Sequence, residues 1–190
     1  MPITNNIIQT HKNKISTFVE TGSWLGDGIQ QALDNSFDVI YSVEINEESH
    51  NKCKKRFVGN DNINLTFSST EDFFKEIIID NSHPLNNERC FIYLDAHSNC
   101  TAGRFKDIND VAPVLTELEL ISKLKINNHI IVVDDFRYMR NYNKWAKKFS
   151  GMNMKEELKQ RFLNINSNYI IRYEPDSLDV EDLVVAFTRD

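Results

Sequence analysis

Acidic residues stand at the ends of four apolar segments of the sequence. They are Glu20, Glu44, Asp95 and the adjacent pair Asp134 and Asp135. Each follows a short run of β-branched and aromatic residues that predicts a buried strand. If the strands are parallel, their carboxyl ends meet at one edge of the sheet, where ligands bind. Carboxylates brought together repel one another unless a cation or a hydrogen-bonding ligand lies between them. The pattern therefore predicts a ligand site at this edge.

A glycine-rich turn follows the first of these acids and leads into a helix-like segment. The turn reads Glu20, Thr21, Gly22, Ser23, Trp24, Leu25, Gly26, Asp27, Gly28. Glycine reaches backbone angles closed to other residues and has no Cβ, so a ligand can lie against the main chain. The N-terminus of the next helix directs free N–H groups toward such a ligand. The spacing is not the Gly-x-Gly-x-x-Gly of dinucleotide-binding proteins. By itself it is a weak indication of a nucleotide site, and the residues downstream provide the stronger evidence.

Glu44 is placed where a nucleotide site needs an acid. It lies one strand and one helix beyond the turn, roughly 20 residues on, where a carboxylate accepts hydrogen bonds from ribose hydroxyls. Ser68 and Ser69 follow the third predicted strand. They are expected either near an adenine edge or as the cap of the following helix.

Asp95, Asp134 and Asp135 form a second group. Three carboxylates converging from neighbouring strand ends suit a hard divalent ion such as Mg²⁺, although one of the adjacent aspartates could instead cap the next turn. His97, two residues after Asp95, is a candidate general base, metal ligand or substrate hydrogen-bonding group.

The basic and aromatic residues from 137 to 148 either form an amphipathic surface helix, the preferred interpretation, or hold an anionic substrate.

Composition limits the class of protein. With 190 residues, 41% of them hydrophobic and 26% charged, the chain fits one globular domain. A net charge of −6 opposes general nucleic-acid or anionic-membrane binding. The three cysteines, Cys53, Cys90 and Cys100, lack the pairing of a disulfide framework or zinc site. Without a signal peptide or a membrane span, the protein is expected to be soluble and cytoplasmic.

Strands alternate with helices along most of the chain. We predict strands at residues 16–20, 38–45, 62–67, 90–94 and 129–133, and a closing hairpin of strands at 169–173 and 183–188. This alternation predicts a doubly wound parallel sheet with an antiparallel hairpin at its edge. Residues 1–14 are expected to form an arm or a short helix, with a single domain over 15–190. Residues 98–109 predict an exposed loop.

Together these features resemble class I S-adenosylmethionine-dependent methyltransferases, from about residue 16 to residue 189. The similarity depends on the glycine turn, on Val43-Glu44-Ile45 as a ribose-binding strand end and on the closing hairpin. It implies an α/β, Rossmann-like, mostly parallel seven-stranded sheet of order 3-2-1-4-5-7-6 with a C-terminal antiparallel hairpin. The residues implied to bind S-adenosylmethionine are Glu20, Thr21, Gly22, Ser23, Trp24, Gly26, Gly28, Glu44, Ile45, Ser68, Ser69 and Asp95.

Leu94-Asp95 and Val133-Asp134-Asp135 also resemble the Mg²⁺ sites of catechol-type and macrocin-type O-methyltransferases. By that analogy Asp95, Asp134 and Asp135 bind the metal, and Asp95, His97 and Asp134 take part in catalysis. The implied reaction is in-line methyl transfer to a hydroxyl of a small molecule or sugar. The 98–109 loop and the short N-terminal extension differ from those families and suggest an open cleft, which suits a large substrate or a site completed by the second subunit of a homodimer.

Two other classes remain open at this point. One is an NAD(P)-type oxidoreductase, which the glycine spacing and the hairpin oppose. The other is a non-catalytic cofactor-binding partner subunit, which the group of strand-end acids opposes because a subunit without turnover has no need of a metal-competent edge.

Overall fold

The computed structural model describes residues 3–97, 112–141, 151–176 and 178–189. Its strands are β1 (Thr17–Thr21), β2 (Val39–Glu44), β3 (Ile63–Phe67), β4 (Phe91–Leu94), β5 (Ile130–Val133), β6 (Ile170–Glu174) and β7 (Leu183–Phe187). They form one seven-stranded sheet in the order β3-β2-β1-β4-β5-β7-β6. The predicted fold class and strand order are therefore confirmed.

The first five strands run parallel to one another. Val19 on β1 is level with Tyr41 on β2 and with Ile92 on β4. Strand β7 runs antiparallel to both β5 and β6, as expected for a hairpin with no helix between its strands. The carboxyl ends of β1, β2, β4 and β5 consequently meet at one edge of the sheet.

Helices cover both faces of the sheet. They are α1 (Asn5–His11), α2 (Asp27–Asp34), α3 (Glu47–Arg56), α4 (Thr70–Ile79), α5 (Val114–Ile121), α6 (Phe136–Asn141) and α7 (Met154–Ile165). One apolar cluster packs α4, α5 and α7 on the sheet through residues such as Phe74, Leu118 and Phe162. The other packs α1, α2 and α3 through Ile8, Ile29 and Cys53. Burial on both faces explains the nearly continuous apolar runs of the central strands.

The N-terminal segment is helical rather than extended as an arm. Thr4 Oγ1 accepts the N–H of Ile7 at the start of α1, and Ile3, Ile7 and Ile8 are buried in the cluster with α2 and α3. Burying three isoleucines offsets the entropy of ordering this segment.

The predicted loop at 98–109 and most of the basic stretch at 137–148 lie outside the described residues. In the part of the chain that is described, no helix has the length and apolarity to cross a membrane.

Candidate active site

Gly22 brings the end of β1 against the end of β4. Its backbone φ is +84°, and a Cβ there would lie 2.6 Å from the main-chain oxygen of Asp95. The N–H groups of Gly22 and Ser23 donate to the carbonyl of Val43 on β2, at 2.9 and 3.2 Å. Only glycine fits this close approach in this conformation. The predicted turn thus lies across the ends of three adjacent strands.

The second half of the turn packs against the C-terminal end of α3 and is hydrogen-bonded to it. Gly26, with φ +86°, precedes α2, and a Cβ there would lie 2.4 Å from the ring of Phe57. Arg56 Nη1 donates to the carbonyl of Leu25 at 2.7 Å and to Asp27 Oδ1 at 2.6 Å. Arg56 was not among the predicted site residues, since nothing in its charged helix distinguishes it from its neighbours.

Glu44 lies beside this turn at the end of β2. Its Oε2 accepts the N–H of Trp24 at 2.8 Å, and its Oε1 accepts the N–H of Asn46 at 2.7 Å. A carboxylate oxygen has two lone pairs, so each oxygen can accept one further hydrogen bond. Ile45 follows it and is 51% exposed, while Trp24 is 65% exposed. The backbone therefore fixes the Glu44 carboxylate next to uncovered apolar side chains.

Ser69 caps a helix, one of its two predicted roles. Its Oγ accepts the N–H of Asp72 at 3.1 Å and donates to Asp72 Oδ2 at 2.8 Å. Ser68 instead uses its main chain, donating its N–H to the carbonyl of Glu44 at 3.2 Å. Ser68 therefore lies beside the strand end that carries Glu44.

Replacing Ser69 with alanine should lower the free energy of unfolding by about 1 kcal/mol, because the first turn of α4 loses its cap. For S-adenosylhomocysteine (SAH), the demethylated form of the cofactor that the sequence resemblance implies, we expect the dissociation constant to change less than about twofold, a difference below 0.5 kcal/mol. Urea unfolding and calorimetric titration measure the two effects. A tenfold loss of SAH affinity would instead assign Ser69 to the ligand site.

Glu20 also lies at the end of its strand, but its carboxyl group is almost completely buried. Its carboxyl is buried beneath the turn, where Ser42 Oγ donates to its Oε2 at 2.6 Å. Thr21 Oγ1 accepts the N–H of Asp95 at 3.3 Å and so links β1 to β4. Ser42 was not among the predicted site residues. Its position could have indicated a role, because a polar residue inside a strand covered on both faces needs a buried hydrogen-bond partner.

Asp95 and Asp135 meet at His97. His97 Nε2 is 3.1 Å from Asp95 Oδ1 and also contacts Asp135 Oδ2. Burial lowers the pKa of His97, but its hydrogen bonds to Asp135 and Asp95 outweigh that effect and raise the pKa to about 10. The imidazole is consequently a cation near neutral pH and bridges the ends of β4 and β5.

Asp134 takes a different direction from Asp95 and Asp135. Its Oδ2 accepts the hydroxyl of Tyr93, and its Oδ1 accepts the N–H of Asp135 at 2.6 Å. Burial, followed by the charges of Asp95 and Asp135, raises the pKa of Asp134 to about 7. Of the three predicted metal ligands, Asp95 and Asp135 thus contact His97. The third, Asp134, is hydrogen-bonded to Tyr93 of β4 instead.

Arg137 continues the chain of charges to β7. Its Nη2 is 2.5 Å from Asp135 Oδ1, its Nη1 contacts Asp182 Oδ2, and its main-chain N–H donates to Asp182 Oδ1 at 3.1 Å. Arg137 lies on α6, but its side chain is directed to two buried carboxylates rather than to solvent. Asp182 was missed, although an acid adjoining a buried apolar strand signals a buried ion pair.

These residues fit a divalent cation. Ligand atoms of Asp95, His97 and Asp135 all lie within 4.8 Å of one another, and Asp134, Asp135 and Asp182 form a second such group. Carboxylates suit Mg²⁺ and Mn²⁺, and imidazole suits transition metals. Arg137 pairs with Asp135, which both groups share, and also with Asp182, so two of the three carboxylates of the second group are engaged and the first group is the better candidate.

Solved structures with the same architecture include three in complex with SAH. An O-methyltransferase from Bacillus cereus in complex with SAH is 13% identical, with 97% of this chain and 78% of that chain covered and a TM-score of 0.65. Human methyltransferase-like protein 13, also with SAH, is 10% identical over 98% and 77% of the chains, with a TM-score of 0.59. SMU.1697c of Streptococcus mutans, again with SAH, is 14% identical over 97% and 98%, with a TM-score of 0.59.

The chain has the S-adenosylmethionine-dependent methyltransferase fold. No family model matches its sequence, and no curated protein matches it either. At identities of 10–14% this likeness establishes the fold alone.

Proposed function

We propose that this protein is an S-adenosylmethionine-dependent methyltransferase acting on a hydroxyl group of a small molecule or sugar. The observation that carries the proposal is the Glu44 carboxylate, held by two backbone N–H groups beside the Gly22 turn. In this fold the ends of β1 and β2 form the nucleotide side of the cleft. The β6–β7 hairpin favours a methyltransferase over a dinucleotide-dependent oxidoreductase.

The chain can hold the two ends of the cofactor separately. Glu44 has acceptor capacity left for both ribose hydroxyls. Ile45 and Phe67, 51% and 54% exposed, offer apolar surface to a base. The methionine end is assigned to the main chain of the glycine turn at Gly22, beside the end of β4. S-adenosylmethionine supplies the methyl group, so the protein's contribution is chiefly orientation of the two reactants.

The acceptor side is assigned to Asp95, His97 and Asp135. These residues would hold a divalent ion such as Mg²⁺, which would lower the pKa of a bound hydroxyl. In the geometry described, His97 Nε2 hydrogen-bonds to both carboxylates. Its proton must leave before that nitrogen can bind a metal or accept a proton from the acceptor.

Calorimetric titration of SAH, with Mg²⁺ and again with EDTA, tests the cofactor assignment. We expect a dissociation constant in the micromolar range, roughly −8 kcal/mol, that is the same in both buffers because Glu44 and the glycine turn need no metal. Absence of both heat and a thermal shift would refute the proposal.

A screen of hydroxylated acceptors then tests the acceptor assignment. Turnover should fall in EDTA and return with Mg²⁺ or Mn²⁺, and Asp135→Asn should lose turnover while keeping SAH affinity. Full activity in EDTA would remove the metal from the mechanism, and methylation of amines alone would overturn the hydroxyl assignment.

A further inference from the structure

The carboxyl group of Glu20 belongs to a buried chain of polar groups beneath the glycine turn. Glu20 is 1% exposed, and Ser42 and Ser23 are buried as well. Ser42 Oγ donates to Glu20 Oε2 at 2.6 Å, and the hydroxyl oxygens of Ser42 and Ser23 are 2.6 Å apart. Because Ser23 lies between Gly22 and Trp24, this chain ties the turn to the interior of the sheet.

Gly28 provides the space for this carboxyl group. A Cβ at Gly28 would lie 1.7 Å from Glu20 Oε1 and 2.9 Å from its Cδ. Glycine is unfavourable inside a helix, and Gly28 is in the first turn of α2. The last glycine of the turn therefore accommodates Glu20.

No cation in the described residues pairs with Glu20. The ionisable groups around it are Asp95 and Tyr93 of the β4 segment, Glu44 of β2, Asp27 of α2 and Cys53 of α3. Arg56 pairs with Asp27 instead. Burial raises the pKa of Glu20 to about 8; the hydrogen bond to Ser42 opposes the rise, and the charges of Asp95, Glu44 and Asp27 add to it.

We propose that Glu20 is a positioning residue that works as a neutral carboxylic acid, holding the glycine turn in its binding geometry without touching the cofactor. The inference rests on the proposed function and adds a regulation of the same site. Loss of the proton places an unpaired charge among three carboxylates beneath the turn. The turn then loses its fixed geometry, so cofactor affinity falls in alkaline solution.

The opposite expectation is that Glu20 attracts the cationic cofactor through its charge. The two views predict opposite results for glutamine, which has the shape of the neutral acid and no charge. A charged contact would make Glu20→Gln bind poorly at pH 7 and would make wild-type affinity improve as Glu20 ionises.

The test is SAH affinity from pH 6.5 to 9.5 for wild type, Glu20→Gln and the exposed control Glu119→Gln. If only the neutral form is competent, the wild-type dissociation constant rises about tenfold between pH 7 and pH 9 relative to Glu20→Gln. At pH 7 the two should agree within about threefold, and Glu119→Gln should follow wild type. The ligand's own titration is common to all three proteins and cancels.

Parallel pH curves for wild type and Glu20→Gln, with SAH tightly bound, would overturn this inference alone. Absence of SAH binding by wild type at every pH would overturn the proposed function and this inference with it. If Glu20→Gln does not fold, Ser23→Ala takes its place. This variant removes the hydrogen bond between Ser23 and Ser42 and should weaken SAH binding about fivefold. Unchanged SAH affinity would show that the buried polar groups do not position the turn.

Unfolding measurements provide a readout without any ligand. Between about pH 4.5 and pH 8 the folded protein keeps a proton on Glu20 that the unfolded chain has lost, so this residue's contribution to stability falls as pH rises through that window. The stability of Glu20→Gln relative to wild type should therefore grow from pH 5 to pH 8. A constant difference would show that Glu20 is not held neutral.

Discussion

Replacing Glu44 with alanine should weaken SAH binding by about 100- to 1000-fold. Hydrogen bonds to a charged acceptor contribute about 1.5–3 kcal/mol each, and the ribose would lose two of them. In the wild-type protein the N–H groups of Trp24 and Asn46 donate to this carboxylate, and in the variant they lose that acceptor. With each bond near the lower end of that range, the loss is about 3–4 kcal/mol, which corresponds to the stated factor.

Glu48→Ala is the matched control for Glu44→Ala. Glu48 lies on α3, four residues further on, and its carboxylate pairs with Lys52 at the surface. Its removal changes the net charge by the same amount but should alter SAH affinity less than about threefold. Calorimetric titration of both variants, with circular dichroism to verify folding, separates the site from general electrostatics. Equal affinities for Glu44→Ala and wild type would remove Glu44 from the cofactor site.

The central strands were predictable because burial on both faces imposes one simple pattern. Strand β4, predicted at 90–94, is Phe91–Leu94, and β5, predicted at 129–133, is Ile130–Val133. All four residues of each strand are buried, so the apolar run itself marks the strand. The acids after these strands could be placed at one edge for the same reason, since parallel strands end together.

What could not be predicted is the direction in which each acid points. Glu20 and Glu44 both follow apolar strands, yet the carboxyl of Glu20 is buried with Ser42 and that of Glu44 accepts main-chain N–H groups. The difference depends on the missing Cβ of Gly28, which only the three-dimensional packing reveals.

Long-range partners were hidden for a related reason. Arg137 and Asp182 are far apart in sequence, and their ion pair exists only because β7 inserts between β5 and β6. Sequence spacing reports neighbours along one helix or strand, so it cannot pair groups from elements that meet only in the sheet. The hairpin was predicted, but the ion pair depends on the contact between its connecting loop and α6.

Gly22→Ala should both destabilise the fold and abolish SAH binding. A left-handed backbone costs about 1–2 kcal/mol for a residue with a Cβ. The added carbon would also lie 2.6 Å from the main-chain oxygen of Asp95, and forcing an extra carbon into a packed interior costs about 1–3 kcal/mol. The total, roughly 2–5 kcal/mol, would be accompanied by separation of β1 from β4, where the methionine end of the cofactor is assigned.

Gly59→Ala isolates the close approach from the backbone strain. Gly59 has φ +85°, against +84° at Gly22, but a Cβ there would meet nothing within 4 Å. It should therefore lose only the conformational part, about 1–2 kcal/mol, and bind SAH as wild type does. Urea unfolding and calorimetric titration of both variants make the comparison. Equal destabilisation would mean that strand β4 yields to the new side chain, and retained SAH binding in Gly22→Ala would move the methionine end away from Gly22.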